Sequence, residues 1–255
     1  MNNFYKKSLL SFFFLLFALF SYTVAGAQEI SPSPPTTFHL TGQVAYANIE
    51  GGFYGIIGDD GLKYQPTNLP RKFKKEGLSL KFDAKSKNNM VSAFQWGTIV
   101  ELSNVSELKT DLAIDERHAM YVLLKRMAAF NNKDLSQLQQ IDTLSKQLTK
   151  EQFDSWVSKY NNYTLRYVDI FSANSSSITG ACYYTRELVN GMTLNGNTDL
   201  AMMTFTISHS SNGWKLTDLD NLRNPIFDDK TDVLADLKQK ALAKYKTDNL
   251  ATLWQ

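Results

Sequence analysis

Three histidines are the first candidates for acid–base chemistry, because imidazole titrates near neutral pH. His118 lies in a run whose apolar residues Met120, Leu123, Leu124 and Met127 recur at helical spacing. It falls about 160° around that helix from Met120, on the side shared with Lys125, so a solvated histidine is expected there. His39 opens a strand beside a proline-rich stretch and His209 ends one beside a turn. Neither has a carboxylate at a spacing that would orient it. No HxH or HExxH pattern occurs, so no metal site is expected, and nothing in the sequence calls for a cofactor.

Among the carboxylates, Asp169 stands out. In an alternating strand it shares a face with Tyr163, Leu165, Tyr167 and Phe171. An acid in such an apolar-aromatic row is desolvated, which raises its pKa and suits proton transfer. The next strand places Cys182, Tyr184, Arg186 and Leu188 on one face and Tyr183, Thr185, Glu187 and Val189 on the other. A cross-strand salt bridge of Arg186 or Arg166 with Asp169 or Glu187 is the structural alternative. Asp169 is thus the catalytic candidate, and Tyr163, Tyr167, Phe171, Tyr184 and Arg186 are the ligand-binding candidates. Asp59 and Asp60, with Glu50 nearby, match no calcium loop and read as a hairpin turn. Arg71, Lys72, Lys74 and Lys75 read as a solvated loop cluster. Cys182, the one cysteine, sits in an apolar-aromatic stretch and is expected to be buried and inert.

The elements around these residues begin with an export signal over residues 1–27. Lys6 and Lys7 precede an uncharged run from Leu9 to Phe20, and Ala25-Gly26-Ala27 offers a cleavage site before Gln28. The apolar run is short for a membrane span, which needs about 20 residues. A periplasmic or extracellular location follows, and no membrane contact is expected after cleavage. Removing residues 1–27 takes away two lysines and no acid, leaving 25 basic against 25 acidic side chains. That balance argues against a nucleic-acid partner.

Residues 28–37 form a proline-rich spacer. Residues 38–108 read as about five short strands: a first that includes Val44, Tyr46 and Ile49, then Phe53 to Ile57, Leu62 to Tyr64, Leu78 to Phe82 and Ala93 to Leu102. Asp60-Gly61 supplies a hairpin turn between the second and third. Such a set suggests a small barrel of the oligonucleotide/oligosaccharide-binding type. Residues 109–255 open with helices. The Met120 stripe comes first, then a short helix capped by Asp134, then one led by the capping box Thr149-Lys150-Glu151-Gln152. Strands follow over Tyr163–Phe171, Ser177–Val189, Thr198–His209 and Trp214–Leu219, with turns at Asn195-Gly196 and Asn212-Gly213. A last helix spans Thr231–Tyr245, with Asp228, Asp229 and Asp232 at its start and Lys240, Lys244 and Lys246 at its end. The fold class is therefore α+β, and the two regions are expected to be separate folding units.

Three helices followed by a long antiparallel sheet, with Phe130-Asn131-Asn132-Lys133-Asp134 after the first helix and a closing Asn212-Gly213-Trp214-Lys215-Leu216, resemble the nuclear-transport-factor-2-like (SnoaL-like) cone fold. The resemblance covers roughly residues 111–220. Its relatives include ketosteroid isomerase and scytalone dehydratase, and the same fold serves protein–protein binding. It implies a cone-shaped pocket lined by one face of the sheet, and pairing into a homodimer through the open face. No catalytic signature is matched. The expected role is non-catalytic binding of a protein partner or a small apolar ligand. The alternative is an acid–base isomerase, dehydratase or cyclase acting through Asp169 and a tyrosine. Intact-mass measurement of protein from its native host should show a chain beginning at Gln28; a full-length product held in the membrane would refute soluble export.

Overall fold

The computed structural model describes residues 36–49, 51–90, 95–191, 197–220 and 230–254. The signal, nearly all of the spacer, Glu50, Ala93, the Asn195-Gly196 turn, Asp228 and Asp229 lie outside the described residues. No helix among those described is long and apolar enough to cross a membrane.

Five strands close the first layer: β1 (Thr37–Ala47), β2 (Phe53–Gly58), β3 (Lys63–Pro66), β4 (Ser79–Ser86) and β5 (Thr98–Glu107). Their order is β1-β2-β3-β5-β4, with β4 returning to β1 and one parallel contact between β3 and β5. This is a small closed barrel of the type expected. Alternation sends Leu40, Val44, Ile56, Tyr64, Leu80, Phe82, Val100 and Leu102 to its interior, and Phe73 from the basic loop joins them. Strand β1 starts two residues before His39. It begins at Thr37, because the Thr36 N–H finds the Ser86 hydroxyl and Thr37 pairs with Lys85.

Helices follow: α1 (Ile114–Asn131), α2 (Leu135–Ile141) and α3 (Lys150–Val157). Asp134 caps α2 by accepting from the Gln137 N–H, and Thr149 with Gln152 forms the capping box of α3. A four-stranded antiparallel sheet completes the second layer in the order β6 (Tyr160–Ala173), β7 (Ser177–Leu188), β8 (Thr198–Ser210) and β9 (Gly213–Asp220). The chain then forms α4 (Lys230–Tyr245) and a 3₁₀ turn at Leu250–Trp254. Helices α1 and α3 cover one face of the sheet, and their stripe of Met120, Leu123, Met127, Phe130, Phe153 and Val157 fills the space against it. Strand β6 is an edge, and its backbone is satisfied from outside the sheet. Asn131 exchanges two hydrogen bonds with the Tyr163 backbone, at 2.8 and 2.9 Å. The Tyr245 hydroxyl sits 2.9 Å from the Val168 carbonyl oxygen.

The two layers share a junction that runs through α1. Its first turns are buried on every side: Glu116, Arg117, His118, Ala119 and Met120 are all removed from solvent. The barrel covers the side of α1 that the Met120 stripe leaves free. Tyr121 packs against both hydrophobic cores. At the centre, the Asp59 carboxylate meets the Arg117 guanidinium at 2.6 Å, with side-chain exposures of 0% and 1%. The Thr41 hydroxyl donates to Asp59 as well, and Arg117 donates to Ser79 Oγ at 2.8 Å. Residues 35–255 accordingly form one compact unit, with this pair crossing the position where strand gives way to helix.

Removing one partner of a buried ion pair strands the other charge and costs about 3–5 kcal/mol, whereas replacing both by apolar groups is often near neutral. Arg117→Met should therefore lower the urea-unfolding free energy by that amount, and Asp59→Leu with Arg117→Met should recover most of it. Equal, additive losses in the cycle would mean the pair is not a coupled unit.

Candidate functional site

The sequence-predicted site residues do not converge. A bulge between Leu165 and Tyr167 breaks the period-two reading of β6. Before it, Tyr163 and Leu165 point into the core; after it, Val168 does. Leu165 pairs with Tyr184, on the inner face, but Tyr167 pairs with Tyr183, on the outer one. Asp169 therefore leaves the row of Tyr163 and Leu165, and lies exposed with Tyr167, Tyr183 and Met202 in a shallow depression beside Asp236 and Lys240 of α4. Phe171, at the far end of β6, is 61% exposed. Neither expected cross-strand bridge to Asp169 forms: Arg166 donates to the Thr185 hydroxyl at 2.9 Å, and Arg186 pairs with Asp199 at 2.9 Å.

Tyr163 and Tyr184 do come together, as part of the core, and Tyr163 also reaches the lining of a cleft between the barrel and α1. Tyr163 stacks between Phe130 and Tyr184, with centroids at 5.0 and 6.3 Å, and burial raises the pKa of both phenols. Arg186 lies with its guanidinium 3.8 Å from the Tyr160 ring centroid. Beneath them, Cys182, Met203, Leu165, Val168 and Ile207 are inaccessible to solvent or nearly so. The volume between helices and sheet is packed rather than open. Cys182 is buried within it, and desolvation pushes its thiol up to about 12.

His118 is the clearest departure from the sequence reading. It is buried, not solvated, because the barrel turn docks on the face of α1 that carries it. Its Nδ1 donates to the Asp59 carbonyl at 2.8 Å, and its ring packs on Trp214 at 5.3 Å. His209 also packs on Trp214, at 5.0 Å, and donates from Nε2 to the Gly61 carbonyl at 2.9 Å. The turns at Asp60-Gly61 and Asn212-Gly213 thus interlock, and the Trp214 N–H donates to the Asp60 carbonyl at 2.8 Å. Gly61 has φ +83°, and a Cβ there would lie 2.3 Å from the Trp214 ring; a Cβ on Gly213, at φ +81°, would lie 2.4 Å from the Asp60 carbonyl. Both glycines are needed for this approach. The Asp60 carboxylate accepts from the Tyr64 hydroxyl at 2.5 Å and the Leu62 N–H at 2.9 Å, and desolvation raises its pKa. Asp59 and Asp60 are thereby engaged in joining the two layers.

A cavity of about 510 Å³ opens where the barrel and α1 diverge. Tyr121, Leu124 and Ala128 of α1, each only partly buried, form one wall, and the outer side of barrel strands β1 and β4, with Thr41 and Lys81, forms the other. Leu165 of β6 closes its floor. Lys81 of β4 and Lys125 of α1 stand at the rim with the His39–Asp83 pair. A largely apolar cleft of this size with a few polar groups is the usual form of a small-molecule site. The sequence reading named Leu124 only as core and did not name Tyr121 or Ala128. Their spacing was visible, since 121, 124 and 128 line one side of a helix. Their exposure depends on where the barrel docks, which periodicity does not encode.

No family model matches the chain, and no curated protein does either. Among solved structures, the chain is similar to the intermembrane-space region of the chloroplast protein ARC6, at 17% identity over 43% of this chain and 97% of that one. It is also similar to Bd1075 of Bdellovibrio bacteriovorus, at 11% identity over 73% and 76%. A third is an Ntf2-like protein involved in plasmid conjugation, at 6% identity over 76% and 73%. The TM-score is 0.32 in each case, so the functional reading rests on this chain's own residues.

Burial, ahead of all else, depresses the His118 pKa below the ordinary 6.5; the neighbouring Asp59 and Asp115 act in the opposite direction and Arg117 adds to the depression. The folded protein then binds fewer protons here than the unfolded chain. This contribution to stability is complete above pH 6.5 and is lost as pH falls through the depressed value. The melting temperature should therefore fall between pH 7.5 and 5.5, and His118→Gln should flatten that slope. An unchanged slope in the variant would mean that His118 does not carry the dependence.

Proposed function

We propose that the protein is an exported, non-catalytic binding protein whose ligand is a small apolar molecule held in the cleft between the barrel and α1. The observation that carries this reading is the contrast between two volumes. The cone interior, where a family pocket was expected, is filled by Met120, Met127, Phe130, Tyr163, Tyr184 and Met203. An open volume of about 510 Å³ lies at the barrel junction, walled by partly buried Tyr121, Leu124 and Ala128, with Met127 and Tyr163 at the edge of the filled interior reaching its lining. The polar groups nearest its depth are already engaged. Asn131 bonds the Tyr163 backbone, and Thr41 donates to Asp59. Such a site gains affinity by burying ligand carbon rather than by supplying an acid–base pair. Nothing in the geometry favours Asp169 as a proton carrier, since it faces outward from the filled core.

The mature protein should bind the neutral dye Nile red with a stoichiometry of one and a blue-shifted emission. Ala128→Trp, which fills the cleft from a partly exposed helix position, should abolish that emission while leaving the melt intact. Dye binding that survives Ala128→Trp, or none in the wild type, would contradict the assignment and favour a protein partner on another surface.

A further inference from the structure

The rim of this cleft narrows the ligand to a chemical class. Two cations, Lys81 on the barrel wall and Lys125 on α1, border an apolar interior. Neither has a carboxylate partner within 4 Å among the described residues; Lys125 instead lies 5.6 Å from the centroid of the Tyr121 ring. The one acid in the lining, Asp83, accepts from Asn104 and from His39, and these bonds together with the nearby Lys81 charge hold its carboxyl below the usual range. Two lysines against one carboxylate leave the mouth net positive, while Tyr121, Leu124 and Ala128 offer carbon within. Of the polar side chains lining the cleft, Asn131, Thr41 and Thr164 are spent on the protein itself and Asn249 is exposed, so the buried part of the ligand is best matched by carbon.

Resting on the reading of the cleft as a ligand site, we propose that the protein binds a free fatty acid, with its alkyl chain in the cleft and its carboxylate between Lys81 and Lys125. The carboxylate stays at the solvent edge, where two ammonium groups meet it without full desolvation. The chain replaces water against the α1 wall. Affinity then grows with chain length at about fourfold per methylene until the cleft is full.

Titration calorimetry of the mature wild type with octanoate, decanoate and laurate, below their micellar concentrations, tests both parts. Binding should be one to one and should tighten along the series. Dodecyltrimethylammonium, with the same chain and the opposite head, should bind at least about tenfold more weakly than laurate. Lys81→Glu with Lys125→Glu should reverse that preference, and Ala128→Trp should abolish binding of both. If the cation and laurate bind equally well and Ala128→Trp removes both, the cleft is the site but the fatty-acid assignment is wrong. If laurate binds wild type and Ala128→Trp alike, or not at all while Nile red also fails, the cleft is not a ligand site and both readings fall.

Discussion

The buried pair of Asp59 and Arg117 is the constraint on which the arrangement of this protein depends. Two charges with almost no solvent contact are tolerable only if they stay together and their remaining valences are met. Thr41 and Ser79 help to meet them from barrel strands, so the pair fixes the turn between β2 and β3 against the start of α1. Everything next to that turn inherits the constraint. Asp60 and Gly61 are carried onto Trp214, and the β8–β9 hairpin locks over them. His118 is sealed beneath the same turn and is held neutral by its burial.

The cleft is a consequence of the same docking. Helix α1 presents its Met120 side to the sheet and its Arg117 side to the barrel at its N-terminal end. The barrel is pinned there by the ion pair. Further along the helix, at Tyr121, Leu124 and Ala128, the two walls separate. A helix sandwiched at one end and half-uncovered at the other produces an apolar groove without any loop having to form it. This accounts for a packed cone interior beside an open cavity in a single compact unit.

The barrel, the helix stripes and the antiparallel sheet were legible in the sequence because each follows from local rules. The Asp60-Gly61 turn, the Asp134 cap, the Thr149–Gln152 capping box and the strands at β4 and β8 all appear as expected. The candidate site was not legible, for two physical reasons. Strand β6 carries a bulge at Leu165–Tyr167, so a strict period of two placed Asp169 on the wrong face. A bulge adds a residue to one face and has no signature in the residue types here. His118 was misplaced because a helix wheel shows which residues differ from the apolar stripe but not whether a second layer covers them. Asp59 looked like a turn residue and is one; its second role needs Arg117, fifty-eight positions away in the chain. Tyr163 and Tyr184, both expected to contact a ligand, stack on each other as core aromatics, and of the two Tyr163 also lines the cleft.

If a buried charge pair and an interlocked pair of turns join the barrel to the cone, the two cannot melt independently. Differential scanning calorimetry of residues 28–255 is the direct measurement. The account predicts one transition whose calorimetric and van't Hoff enthalpies agree. Two resolved transitions, one for the barrel and one for the helix–sheet layer, would contradict it.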